Sequence, residues 1–244
     1  MEAASTRWGG SEVHPQDYDG WAAGGAAGWH AGAMRSLFQR IEDHELGAAG
    51  GRGTLGPMSV TGPRHPHPLA LPFLRAGVEQ GWTLNEDLNG ADHTGISLAF
   101  SNIRDGRRHS VVDGYLRPAS HRPNLTLLSA TRVTRVVVDG ERAVGVHALS
   151  PDDTTVDVTA RDGVVLTAGA LHTPQLLMLS GIGPAAHLAE HGLPVVRDLP
   201  AVGGHLQDHP AAPVPFFVDD AVLRYFGAED DYRLARRGPL SSLA

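Results

Sequence analysis

The chain has 244 residues, enough for one or two domains with a sizeable core, and its 20 basic and 27 acidic side chains leave a net charge of −7. That balance argues against a general binder of nucleic acid or anionic membrane. With no cysteine, disulfides, thiolate metal sites and cysteine nucleophiles are excluded.

Residues 1–13 are expected to form a leader. Met1 to Gly10 lack the apolar run of a secretory signal, and no later stretch is long enough to span a membrane, so a cytoplasmic location is expected. Pro15 and Asp17 favour a turn, with Tyr18 and Trp21 as anchors to a core. Met34, Leu37, Phe38 and Ile41 recur at spacings of three and four, which predicts an amphipathic helix ending near Leu46-Gly47. Residues 47–68 are rich in Gly and Pro and read as a solvated loop. His65 and His67 lie within it, but no carboxylate or third histidine stands at a helpful spacing to complete a metal site. A helix is expected over Leu71–Gln80, then a turn-rich stretch to Gly90. Residues 95–103 are expected as a strand with Ile96, Leu98 and Phe100 on one face. Arg104 to Ser110 is a basic turn, either solvated or in contact with a phosphate; charge alone favours the solvated reading.

Short strands with clear turns follow. Leu125–Leu128 and Val133–Val138 are apolar, Asp139-Gly140 is a tight turn, and Val144–Leu149 and Thr154–Val158 continue an antiparallel meander. Val164, Val165 and Leu166 then form an apolar run that suits a strand buried on both faces of a parallel sheet. Ala168, Gly169 and Ala170 are small and permit close approach to the backbone. Thr173 is expected as a helix N-cap and Pro174 as the first helical position, with Leu176 to Leu179 in the helix and Ser180-Gly181 as its stop. Such a strand–turn–helix unit is either a plain buried element or a site where free N–H groups at the helix start meet an anionic ligand. Ala185–His191 is expected as a helix and Gly192–Val196 as a returning strand. His205, Asp208 and His209, at i, i+3 and i+4, would converge on one helix face and are the other candidate metal ligands.

Gly169 to Gly183, reading Gly-Ala-Leu-His-Thr-Pro-Gln-Leu-Leu-Met-Leu-Ser-Gly-Ile-Gly, resembles the second signature of the glucose–methanol–choline (GMC) flavin oxidoreductases. His14 to Trp21 is similar to the segment after that family's first signature. The longer Gly-Gly-Ser-Ser…Asn stretch that contacts the flavin is not matched, because Gly9-Gly10-Ser11 is followed almost at once by His14-Pro15. Ser110 to Ala119, with Arg122 to Leu125, also resembles the family, as a helix ending at the Leu-Arg-Pro turn. Gly203 to Pro210 resembles a structural motif that holds no metal there, so no metal is expected.

The resemblance runs from about His14 to Pro210. It implies an α/β fold: an incomplete, Rossmann-like FAD-binding domain over 14–210, with the antiparallel meander, and the start of a substrate domain over 211–244. It implies FAD as cofactor. Val133, matching the valine of a Thr-Arg-Val-Thr pattern, would hold the adenine end through its main chain, and Ala168, Gly169, Ala170 and Thr173 would wall the crevice. The implied reaction oxidises a small-molecule alcohol to a carbonyl, with hydride passing to the flavin. Neither the family's strand–Gly-x-Gly-x-x-Gly–helix unit nor its catalytic histidine segment has a counterpart. No catalytic residue is therefore assigned, and His172 is read as a packing or solvent-facing side chain. The chain is expected to be a central piece that binds FAD weakly or not at all, is inactive alone, and dissolves poorly. Two alternatives stay open: a non-catalytic remnant or interaction protein, and half of a split enzyme completed by a complementing chain.

Overall fold

The computed structural model describes residues 14–48, 51–90 and 92–208, with Asp219 and Val222. The expected leader with Trp8 to Ser11, the pair His209-Pro210, and the substrate-domain start over 211–244 (those two residues aside) lie outside the described residues. The chain divides into two units, one reaching Arg122 and the other beginning at Pro123.

In the first unit the expected turn at Pro15 is the first turn of helix α1, Pro15–Ala23. Proline at the first helical position loses no hydrogen bond, and the His14 side chain accepts from the Gln16 N–H at 3.2 Å. Tyr18 is buried, with Trp21 edge-on to it at 5.1 Å. Helix α2, Ala31–Ile41, is capped the same way by His30. It stops short of Leu46 because Glu42–His44 leave as strand β1, parallel to β2, Met58–Val60. The glycines between them have a packing reason. A side chain at Gly53 would strike the Gln39 carbonyl, and one at Gly56 the Ile41 backbone.

Helix α3 covers Ala70–Glu79, one residue earlier at each end than the expected Leu71–Gln80. Residues 95–103 do not form the expected single strand. Ile96 bridges to Leu84, Ser101 to Thr61, and only Ile103–Arg104 (β3) pairs regularly, with Arg107–Arg108 (β4). Each part of the segment thus meets a different neighbour. Asp105 and Gly106, at φ 52° and 71°, make the two-residue hairpin turn between them. A π-helical stretch, Val112–Leu116, runs into α4, Arg117–Ala119, so the helix continues through Pro118 instead of ending before it.

The second unit is built on the predicted meander: β5 Arg132–Asp139, β6 Arg142–Leu149 and β7 Thr155–Thr159, antiparallel in the order β5-β6-β7. Helix α5, Gly169–Leu179, packs on β5. The chain then turns through Gly181 into β8, Ile182–Gly183, and α6, Ala185–Glu190, whose Leu188 is fully buried. The returning strand is Arg197–Asp198 (β9), parallel to β8, and not Gly192–Val196.

Two expected strands do not form. Leu125–Leu128 joins no sheet, and Leu127 and Leu128 are exposed. Gly163–Thr167 likewise joins none, with Val165 88% exposed. A strand buried on both faces needs a neighbour on each side, and none pairs with this segment among the described residues.

Candidate functional site

The outer edge of β5 and the start of α5 carry the expected cofactor residues. β5 is the end strand of its sheet, so among the described residues no strand covers its outer edge. Which of its peptide groups face outward follows from register. The Ala160 N–H donates to the Val144 carbonyl, so Val144, Val146 and Ala148 direct their peptide groups toward β7. Their β5 partners, Val136 opposite Val146 and Val133 opposite Ala148, therefore turn theirs outward. The two are three residues apart, an odd step, because a bulge intervenes: Thr134 is the extra residue between the pairs Val133–Ala148 and Arg135–His147. The Val136 N–H donates outward to Ser180 Oγ at 2.8 Å. Val133, 40% exposed, also turns a donor and an acceptor outward.

Helix α5 begins at Gly169, four residues before the expected cap. Gly169 takes φ 85°, a conformation glycine tolerates and other residues rarely adopt. Ala168 precedes the helix, and no side chain caps it. Its free donors are therefore the first N–H groups, those of Gly169 to Leu171 among them. Ala168 and Ala170 are exposed and Gly169 half-buried, so the start is open to a ligand. No acidic side chain lies in the first turn to offset the positive end of the helix dipole. Thr173 falls in the second turn and Pro174 inside the helix, which corrects the expected N-cap. Thr173 has only its hydroxyl to offer. Pro174 leaves the Ala170 carbonyl without its helical donor, which exposure of Ala170 to water tolerates. His172 is exposed.

This arrangement fits a dinucleotide in two respects. A paired main-chain donor and acceptor at Val133 suits the edge of a nucleobase, and an uncapped helix start lined by small residues suits an anion.

The other candidates are accounted for differently. His67 Nδ1 accepts from the Leu69 N–H at 3.1 Å, at the entry to α3. His205 and Asp208 lie in irregular chain and not on a helix. Among the described residues no group of three or more His, Asp or Glu is placed to hold a metal. In the basic hairpin, Arg104 pairs with Asp43 at 3.0 Å.

Sequence reading did not find a buried polar cluster in the first unit. Arg52 binds Asp87 through two bonds of 2.7 Å and lies 3.4 Å from Glu42. Burial alone would raise the Asp87 carboxyl, but the Arg52 hydrogen bonds and the Asn89 N–H hold it below its ordinary value. Next to this pair His44 is buried, its Nδ1 accepting from the Leu46 N–H and its Nε2 without a partner. Burial lowers its pKa, with Arg52 assisting and Glu42, Asp87 and Glu45 opposing. These contacts join residues up to 35 positions apart, which no local pattern signals. Ser180 was read only as a helix stop.

Comparisons with known proteins converge. A profile of the family described as GMC oxidoreductase matches residues 12–211. The oxygen-dependent choline dehydrogenase of Brucella anthropi is 41% identical over 196 residues, covering 80% of this chain and 35% of its own. The mitochondrial choline dehydrogenase of Homo sapiens is 40% identical over 211 residues, 83% of this chain and 35% of that protein. The chain thus spans about a third of the length of these curated relatives. Among solved structures, pyridoxine 4-oxidase from Mesorbium loti superposes with a TM-score of 0.72 at 35% identity, over 78% of this chain and 38% of that one. An FAD-dependent oxidoreductase from Chaetomium thermophilum gives 0.70 at 33% identity, over 78% and 35%. No helix among the described residues is long and apolar enough to cross a membrane.

Proposed function

Because this chain belongs to the GMC oxidoreductase family, whose cofactor is FAD, we propose that it supplies the FAD-holding part of an enzyme that oxidises a small alcohol at its CH–OH group. Bound FAD would supply the hydride acceptor. The chain's own residues bind and orient. The outward N–H and carbonyl of Val133 hold the adenine edge. Ala168, Gly169 and Ala170 let an anionic part of the cofactor approach the free N–H groups of α5, and Thr173 adds a hydroxyl one turn further on. The observation that carries this reading is the Val133 edge, turned outward on β5 while the N–H of Val136 is already taken by Ser180. Residues 14–210 form the partial FAD domain and 211–244 begin a substrate domain. Choline is the first alcohol to test, since relatives covering most of this chain carry that substrate in their names.

The 244 residues alone bind FAD weakly and do not turn over. Support comes from the bare segment Gly163–Thr167, which no described strand flanks. The exposed Val165, Leu127 and Leu128 favour one addition, a complementing chain that covers them. The experiment titrates the purified chain with FAD, follows flavin fluorescence, and then adds choline with an electron-accepting dye. Weak, saturable quenching without dye reduction is expected. Complete indifference of FAD to the protein overturns the cofactor site, and steady choline-dependent reduction overturns the claim that the chain is inactive alone.

A further inference from the structure

We infer that Ser180 is a positioning residue for the cofactor site, setting α5 against β5 so that the Val133 edge and the α5 start face one ligand; the inference rests on the reading of that site given above. Ser180 is buried, and its hydroxyl makes two bonds in opposite roles. It donates to the Leu176 carbonyl at 2.6 Å, closing the last turn of α5, and accepts from the Val136 N–H at 2.8 Å, across 44 residues of sequence. One oxygen therefore ties the end of the helix to the outer edge of the strand that carries Val133.

The bond has two consequences for the site. First, it occupies the Val136 N–H, so a ligand approaching the β5 edge meets the outward-turned Val133 with the Val136 donor already taken. Second, it fixes the helix at the end far from its free N–H groups. An eleven-residue helix is about 16 Å long, so a tilt of about 10° at Ser180 moves the α5 start by about 3 Å. Hydrogen bonds to an anion do not survive such a displacement. Gly181 and Gly183 follow directly and leave the joint little slack. A side chain at Gly181 would come within 2.5 Å of the Pro194 carbonyl, and one at Gly183 within 2.8 Å of Met178 Cγ.

The experiment uses the full 244-residue chain with ADP and FAD as probes, read by the Val133 and Val136 amide resonances and by ligand titration. In the wild type, ADP should shift the Val133 amide and leave Val136 nearly unmoved. Ser180→Ala should strip the Val136 amide of its exchange protection and weaken ADP and FAD about tenfold. Ser180→Cys keeps the volume but accepts poorly; it should give the same direction of change and replaces the alanine variant if that does not fold. Val136→Ala destabilises the same sheet while keeping the N–H, and its folded form should bind as the wild type does. If ADP never shifts Val133 in the wild type, the site itself is wrong and the inference falls with it. If the wild type responds but Ser180→Ala binds equally well, or Val136→Ala weakens binding as much, the site stands and the positioning role is refuted.

Discussion

Replacing Arg52 with Met should destabilise the first unit by about 3 kcal/mol, the lower end of the range for breaking one side of a buried ion pair. The Arg52 side chain is 2% exposed, against 15% for Asp87 and 12% for Glu42. Without the guanidinium, two carboxylates face each other with little water and one of them has lost two short charge-assisted bonds. The low end applies because the Asn89 N–H still reaches Asp87 and both acids retain some solvent. Combining Arg52→Met with Asp87→Leu should cost less than the sum of the single changes, by about 1–3 kcal/mol, because each single variant already breaks their mutual bonds. The assay is urea unfolding followed at the Ser59 and His44 amides, with Val146 in the other unit as an internal reference. For a slope of about 1–3 kcal/mol per molar urea, the first-unit midpoint should fall by roughly 1–3 M. A fall under about 0.5 M, or strict additivity in the double variant, would mean the pair behaves like a surface salt bridge, and the burial argument would be wrong.

Other outcomes follow from the same reasoning. His44 is held neutral, with its folded pKa below the ordinary 6.5, so its contribution to stability is complete above pH 6.5 and declines as pH falls from there toward the lowered value. His44→Phe should abolish that part of the slope, and an unchanged slope in pH-dependent urea melts counts against it. Asp113 is held at about 2, mainly by the Ser110 hydroxyl and N–H, with Arg117 adding to it. Its contribution is present above the ordinary 3.8 and is lost as pH falls toward 2, and Ser110→Ala should bring the carboxyl back toward 3.8 in an NMR titration. Gly181→Ala combines φ 82° with a 2.5 Å approach to the Pro194 carbonyl. It should cost about 2 kcal/mol or more in the second unit, and a calorimetric loss under about 0.5 kcal/mol would show that the turn gives way freely.

Features set by short-range pattern were legible in the sequence. The meander follows from β-branched runs with Asp139-Gly140 between them, and α2 from apolar spacing. The second GMC signature identified the family because its motif is long and contiguous. What sequence reading missed depends on distant partners. Val164 to Leu166 has the composition of an interior parallel strand, but composition cannot provide the flanking strands, and the segment stays outside every described sheet. The expectation at Thr173 took the Thr-Pro pair as a helix start, and the structure places both residues inside α5. Gly169, free to take positive φ, began the helix a turn earlier, and the open carbonyl at Ala170 made an interior proline tolerable. Val133 was found only through resemblance. Its outward main chain depends on a bulge at Thr134 that nothing local announces.

The bare stretch after β7 has a practical consequence. Arg161 is exposed, and the residues that follow it up to the start of α5 belong to no sheet, so trypsin should cut there early. The cut would sever the backbone between meander and helix while leaving α5 packed on β5 and the Ser180 bond intact. The nicked protein should still elute as one body and separate only in denaturant. The two halves of this unit could then be made as separate polypeptides and mixed.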